Sequence, residues 1–183
     1  NRIMFPIINE KGTVIGFGGR VIDSEDNPKY YNSPETPLFQ KSYELYGLVY
    51  ARKPIREKSY VLVVEGYMDV VGLAQHGVRN VVATLGTATT IYHLKKLMRY
   101  TQEIIFCFDG DSAGQKAAWR ALMNALNAIT DNVRLKFLFL PDNHDPDSFI
   151  RENSQQDFDT LIDDSLPLTE YVVKYLTIDN DLT

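Results

Sequence analysis

The chain has 183 residues, 44% of them hydrophobic, and a net charge of −5. That composition suits one domain with small appendages and argues against disorder. The single cysteine, Cys107, excludes an internal disulfide and a cysteine zinc site, and no apolar run is long enough to cross a bilayer, so a reducing, cytoplasmic setting is expected.

The chain opens on Asn1 and enters an apolar run at once, and it is read as a segment of a longer protein. Residues 1–22 predict a β-hairpin, with 4–8 and 13–17 flanking the turn-forming 9–12. Pro6 points to an edge position, and Gly16, Gly18 and Gly19 to a strand that another element approaches closely. Residues 23–36, rich in Asp, Asn, Pro and Ser, predict an irregular connection. A short helix is expected over 41–53, then a linker to about residue 58.

From Tyr60 the alternation becomes regular. A strand at 60–64 precedes a helix at 67–76 that stops at Gly77. A short strand at 81–83 precedes a helix capped by Thr90. A strand at 104–108 precedes a helix from Ser112, and a strand at 133–140 ends at Pro141. This βαβαβαβ order predicts right-handed crossovers and a mostly parallel four-stranded sheet with helices on both faces. Helical patterns follow at 148–153, 157–163 and 168–176, with Pro167 suited to the first turn of the last.

Two of these strands end in acid. Residues 60–64 run into Glu65-Gly66, and 104–108 into Asp109-Gly110-Asp111. Uninterrupted apolar runs of this kind mark strands buried on both faces, and ligands of such sheets sit beyond the carboxyl ends of the strands. Glu65, Asp109 and Asp111 are therefore expected to converge. Like charges that close need a cation, and hard oxygen donors suit Mg²⁺ or Mn²⁺. The bland alternative, turn acids and a Ser112 helix cap, explains one Asp at most. Gly110 would let backbone approach a phosphate. Asp145 and Asp147 flank Pro146 after the fourth strand, where capping of a helix by Asp147 competes with a ligand role. Asp69, one turn into its helix, is expected to support the cluster. His76 and His93 read as helix-surface residues, and the aromatics as mostly core. Charge is uneven: residues 131–183 hold 12 acids against 4 bases, whereas 1–60 hold 9 bases against 7 acids. Overall acidity is a weak sign of nucleic-acid binding, but a basic face in the front portion stays compatible.

The two acid-tipped strands resemble the Toprim fold of bacterial primases, topoisomerases and some nucleases. Longer strings narrow the likeness. Gly16 to Val21, Pro28 to Thr36, Leu45 to Leu48, Val63 to Asp69, Leu85-Gly86-Thr87 and Leu140 to Asp147 are similar to the bacterial replicative primase of the DnaG type. Tyr31 stands where some relatives carry Leu.

The resemblance implies synthesis of short RNA primers on a single-stranded DNA template from ribonucleoside triphosphates, by metal-dependent nucleotidyl transfer. It implies two or more Mg²⁺ or Mn²⁺ ions on Glu65, Asp109 and Asp111, with Asp145 and Asp147 in the same acidic cluster. Asp69, Gly66 and Gly110 would support them. Arg20, Lys29, Asn32 and Lys41 would face template or nucleotide. A zinc-ribbon domain and a helicase-binding domain belong to the family but are not expected in this segment, so zinc is not expected here and the helicase would dock elsewhere. The implied division is 1–58 as part of an α+β subdomain, 59–145 as the Toprim domain and 146–183 as a helical subdomain. Another Toprim enzyme, a topoisomerase or nuclease, and a non-catalytic nucleic-acid-binding module remain alternatives on the residues alone.

Overall fold

A computed structural model describes residues 1–22, 27–129 and 132–178. Two sheets organise them. The first is antiparallel, order β1-β2-β3, from β1 (Arg2–Ile8), β2 (Val14–Val21) and β3 (Tyr30–Asn32). Pro6 lies on the outer strand β1, where its missing N–H costs no ladder bond. The connection expected to be irregular thus contributes a strand: β3 pairs with residues 18–20 of β2. Residues 23–26 of that connection lie outside the described residues.

The second sheet has the order β5-β4-β6-β7-β8 and is built from β4 (Val61–Val64), β5 (Val81–Ala83), β6 (Glu103–Phe108), β7 (Arg134–Phe139) and β8 (Leu166–Pro167). The first four run parallel, as the alternation predicts. All four residues of β4 are buried, because helices cover both faces. Val61, Val63, Phe106 and Phe137 join one core with α1 (Leu48–Lys58), α3 (Ile91–Leu97), α4 (Ser112–Leu126) and α7 (Leu168–Ile178). Leu62, Val64, Ile105 and Leu138 join the other with α2 (Tyr67–Gln75), α5 (Pro146–Glu152) and α6 (Gln155–Asp163).

Four expectations are corrected. The helix expected at 41–53 begins at Leu48, because Tyr46 exchanges backbone hydrogen bonds with Ala83 and Gly47 adopts a left-handed φ of 82°. It runs through Pro54, carried by the buried side chains of Leu48, Ala51 and Ile55. Pro167 belongs to β8, an antiparallel edge strand, so residues 146–183 supply part of the sheet as well as helices. Asp111, not Ser112, caps α4. His93 is fully buried: its Nδ1 accepts the Thr90 N–H and its Nε2 donates to the Lys41 carbonyl, while burial pushes its pKa down to about 4. It is a neutral bolt between α3 and the front segment.

The two sheets meet around Tyr67, the first residue of α2. Its ring packs against Phe5, Tyr30 and Tyr46. A side chain at Gly18 would sit 2.8 Å from that ring, which explains the glycine-rich stretch of β2. Asn32 adds a second tie, donating to the Leu85 carbonyl across 3.1 Å.

Candidate active site

The acids gather where the parallel strands end. Glu65 follows β4, Asp109 follows β6, and Asp145 follows the turn after β7. Their coupling shows in their acidities. Glu65 is raised above the ordinary carboxylate range, chiefly by desolvation and then by Asp109 and Asp111. The Glu65 residue as a whole stays exposed, so this desolvation is local to the carboxylate and short of full burial. Asp109 is pushed up to about 6 by burial, then by Asp145 and Asp111. Asp69 is pushed up to about 7 by burial, Asp145 and Asp109, against the opposing hydrogen bond that it accepts from the Gly66 N–H at 3.1 Å.

Each acid is engaged differently. The carboxylates of Glu65 and Asp109 have no protein hydrogen-bond donor among the described residues. Asp111 accepts the Gly114 N–H at 2.7 Å, and Asp145 accepts the Ser148 N–H at 2.6 Å; each caps a helix with one oxygen and keeps the other. Asp147 is buried and paired with Arg151, so its charge is largely committed inside the protein. The cap at the start of α5, expected of Asp147, is Asp145, and Asp147 lies two residues further in, within the first turn.

Among the described residues, no three acids or histidines enclose a single point tightly enough to hold an ion alone. That suits Mg²⁺, which keeps several waters and binds through one or two carboxylates plus substrate phosphates. Two unpartnered carboxylates with raised pKa values, and two more with a spare oxygen, form a donor set that fits such a cation.

The raised acids carry a stability consequence. A carboxylate whose folded pKa lies above its unfolded value holds an extra proton between the two, so stability falls as pH rises through that window. For Asp69 the window runs from about 4 to 7. Without divalent cation, the Asp69→Asn protein is expected to exceed the unmodified chain by roughly 2–4 kcal/mol at pH 7.5 and by little at pH 4. Thermal melts of both proteins across this range check it; parallel curves would refute the acidity assigned to Asp69.

Beside the acids lies a surface that contains Arg20 and Lys29, expected from the family resemblance, together with two tyrosines that were not expected there because the aromatics read as mostly core. Tyr30 and Tyr31 on β3 are exposed, Tyr31 to 60%. The Arg20 guanidinium and the Lys29 amine lie 5.5 and 5.7 Å from the Tyr30 ring, and Arg2 lies 6.0 Å from that of Tyr31. Tyr30 also feels the charges of Asp69, Asp145 and Asp147, so this cationic, aromatic strip adjoins the acid cluster. Only the alternation of β3, hidden in a turn-rich segment, could have signalled it. Of the other expected contacts, Asn32 spends its amide on Leu85 and leaves its buried Oδ1 without a partner. Lys41 is anchored through its backbone, its N–H donating to Glu35 at 2.8 Å.

Residues 1–52 match the family model of the DNA primase catalytic core N-terminal domain, and residues 62–150 the Toprim-like model. The DNA primase of Neisseria meningitidis serogroup A is 59% identical over 178 residues, covering 97% of this chain and 30% of the relative. The chain belongs to the DnaG-type bacterial primase family. A crystal structure of a DNA primase domain from Pseudomonas aeruginosa superposes with a TM-score of 0.93 at 52% identity, over 98% of this chain and 56% of that one. A DnaG primase catalytic domain bound to single-stranded DNA superposes at 0.92 with 49% identity, over 99% of this chain and 58% of that one. The fold is accordingly the Toprim fold, with the front portion that this primase family adds. The chain spans about 30% of the length of the curated primases it matches.

Proposed function

We propose that this chain is a catalytic segment of a DNA primase, making short RNA primers on single-stranded DNA by nucleotidyl transfer. What carries the reading is the juxtaposition of two unpartnered, raised-pKa carboxylates, Glu65 and Asp109, with the Arg20–Lys29–Tyr30–Tyr31 strip, in a chain of the primase family. Residues 1–58 act as the template-facing part, 59–145 as the catalytic Toprim unit and 146–183 as its buttress. The replicative helicase engages the whole protein through a region outside this chain.

Primer extension requires a 3′-hydroxyl to attack an α-phosphate while pyrophosphate departs, and the protein's share is positioning and charge neutralisation. Glu65 and Asp109 would hold Mg²⁺ or Mn²⁺, with Asp111 and Asp145 offering their spare oxygens and Asp147 fixing the start of α5. Bound there, divalent ions supply Lewis-acid stabilisation of the attacking oxygen and of the triphosphate. Asp69, through its hydrogen bond to the Gly66 N–H, fixes the turn that aims Glu65. Tyr30 and Tyr31 offer ring faces to unpaired bases, a contact that tolerates any sequence. Arg20 and Lys29 reach backbone phosphates, which position a strand without reading it. Asn32 and Lys41 hold this strip against the catalytic unit.

Lys29 tests the strand-binding half. Lys29→Ala is expected to weaken binding of a single-stranded oligonucleotide and to lower the slope of log K against log salt by about 0.7, one counterion's worth. A fluorescence titration at several salt concentrations measures it, and an unaltered slope would remove Lys29 from the interface.

A further inference from the structure

The strand order places β4 at the switch between two directions of crossover, with β5 on one side and β6 on the other. Crevices at such points take ligands. Here the crevice holds a cavity of about 330 Å³ that includes Glu65. Its wall contains Glu65, Thr84, the segment 86–89, Phe108 and Arg120. Three of its features have no structural use inside the protein.

Arg120 is exposed on α4 and has no ion pair or hydrogen bond among the described residues, although Glu65 lines the same cavity. Its helix face is turned to the loop: Asn124, one turn on, donates to the Thr89 carbonyl at 2.8 Å, and Ala117 and Ala121 are small enough to leave the cavity open. The loop is braced at both ends through its carbonyls, Leu85 by Asn32 and Thr89 by Asn124. Between them, the backbone N–H groups of Gly86, Thr87 and Ala88 and the Thr87 hydroxyl find no acceptor among the described residues. Gly86 holds a left-handed φ of 77°, a conformation that bends successive amides towards one side. A guanidinium and a run of free amides on the wall of one cavity suit an anion, and planar forked donors favour phosphate oxygens.

We propose that Arg120 and the Gly86–Ala88 amides form a seat for the β- and γ-phosphates of a nucleoside triphosphate, beside the carboxylate of Glu65. This rests on the reading of the chain as a nucleotidyl transferase, and it adds a substrate-binding residue on α4. The leaving pyrophosphate is thereby held away from the strand that the tyrosines receive. The phosphates of a bound DNA strand offer the same chemistry, so the test separates the two.

Calorimetric titrations of the chain in Mn²⁺ with ATP, inorganic tripolyphosphate, AMP and a short oligothymidylate decide it, for the unmodified chain, Arg120→Ala and Arg120→Lys, with circular dichroism confirming the fold of each. Arg120→Ala is expected to bind ATP and tripolyphosphate roughly tenfold more weakly while AMP and oligothymidylate affinities stay unchanged, and Arg120→Lys to recover part of the loss. Equal triphosphate affinity in all three proteins makes Arg120 a solvated surface residue and overturns the seat. Loss of oligothymidylate binding in place of triphosphate binding overturns it too, by assigning Arg120 to the strand. So does failure of the unmodified chain to bind tripolyphosphate. The Mn²⁺ titration without nucleotide, which Arg120→Ala should leave unmoved, judges the underlying reading separately.

Discussion

Asp109→Asn is expected to abolish Mn²⁺ and Mg²⁺ binding while leaving the fold intact. Asp109 interacts with Glu65, with Asp145 and with Asp111, and it contributes to the raised pKa of Asp69. Its carboxylate has no protein hydrogen-bond donor to lose, and asparagine matches its shape. The substitution also removes a charge that the folded protein holds at a cost. With the pKa raised to about 6, that cost is present above pH 6 and absent below the unfolded value near 4. The variant should therefore be more stable than the unmodified chain at pH 7.5 without metal, by on the order of 1 kcal/mol because solvent screens the half-exposed carboxylate, and gain nothing from added Mn²⁺. Calorimetry and thermal melts give both numbers. A manganese isotherm identical to that of the unmodified chain would take Asp109 out of the site.

The parallel sheet was legible because its physics is local. Val61 to Val64 and Ile104 to Phe108 are buried on both faces, so each reads as an unbroken apolar run, and the acids that end them are set by chain order alone. What was not legible depends on distant partners. The helix before β4 shifts because Tyr46 pairs with Ala83, far along the chain, and takes residues 41–47 out of any helix. His93 occupies a helix position of surface type, yet it is buried because the Lys41 carbonyl needs a donor there. Tyr30 and Tyr31 read as core by composition and stay exposed on β3, an edge strand of the smaller sheet. Asp145 and Asp147 were legible as a pair but not in their division of labour, which follows from Arg151 reaching back to Asp147. Chain direction and periodicity thus locate the acid cluster, whereas the strip and the braced 86–89 loop are products of tertiary contact.

Gly110→Ala is expected to damage site and fold together, in contrast to the neighbouring Gly66→Ala. A β-carbon at Gly110 would run into the Leu140 carbonyl oxygen and lie 2.6 Å from that of Pro141, both backbone atoms. That backbone cannot retreat freely, because the Leu140 N–H donates to the Phe108 carbonyl at 3.0 Å and so fixes the ends of β6 and β7 against each other. At Gly66 the nearest atom is the Asp69 carboxylate tip at 2.9 Å, a side chain that can turn aside. Overpacking against fixed backbone costs about 1–3 kcal/mol. Relief comes only by moving the Asp109–Asp111 turn, which carries two of the acids. Urea unfolding should show the loss for Gly110→Ala and under about 1 kcal/mol for Gly66→Ala, and manganese affinity should fall in the first through displacement of Asp109. Gly66→Ala is instead expected to disturb the Asp69 contact and leave stability nearly unchanged. Were Gly110→Ala as stable and as tight for manganese as the unmodified chain, the turn would not be held against the β7 loop, and the convergence of Asp109 with Asp145 would lose its structural cause.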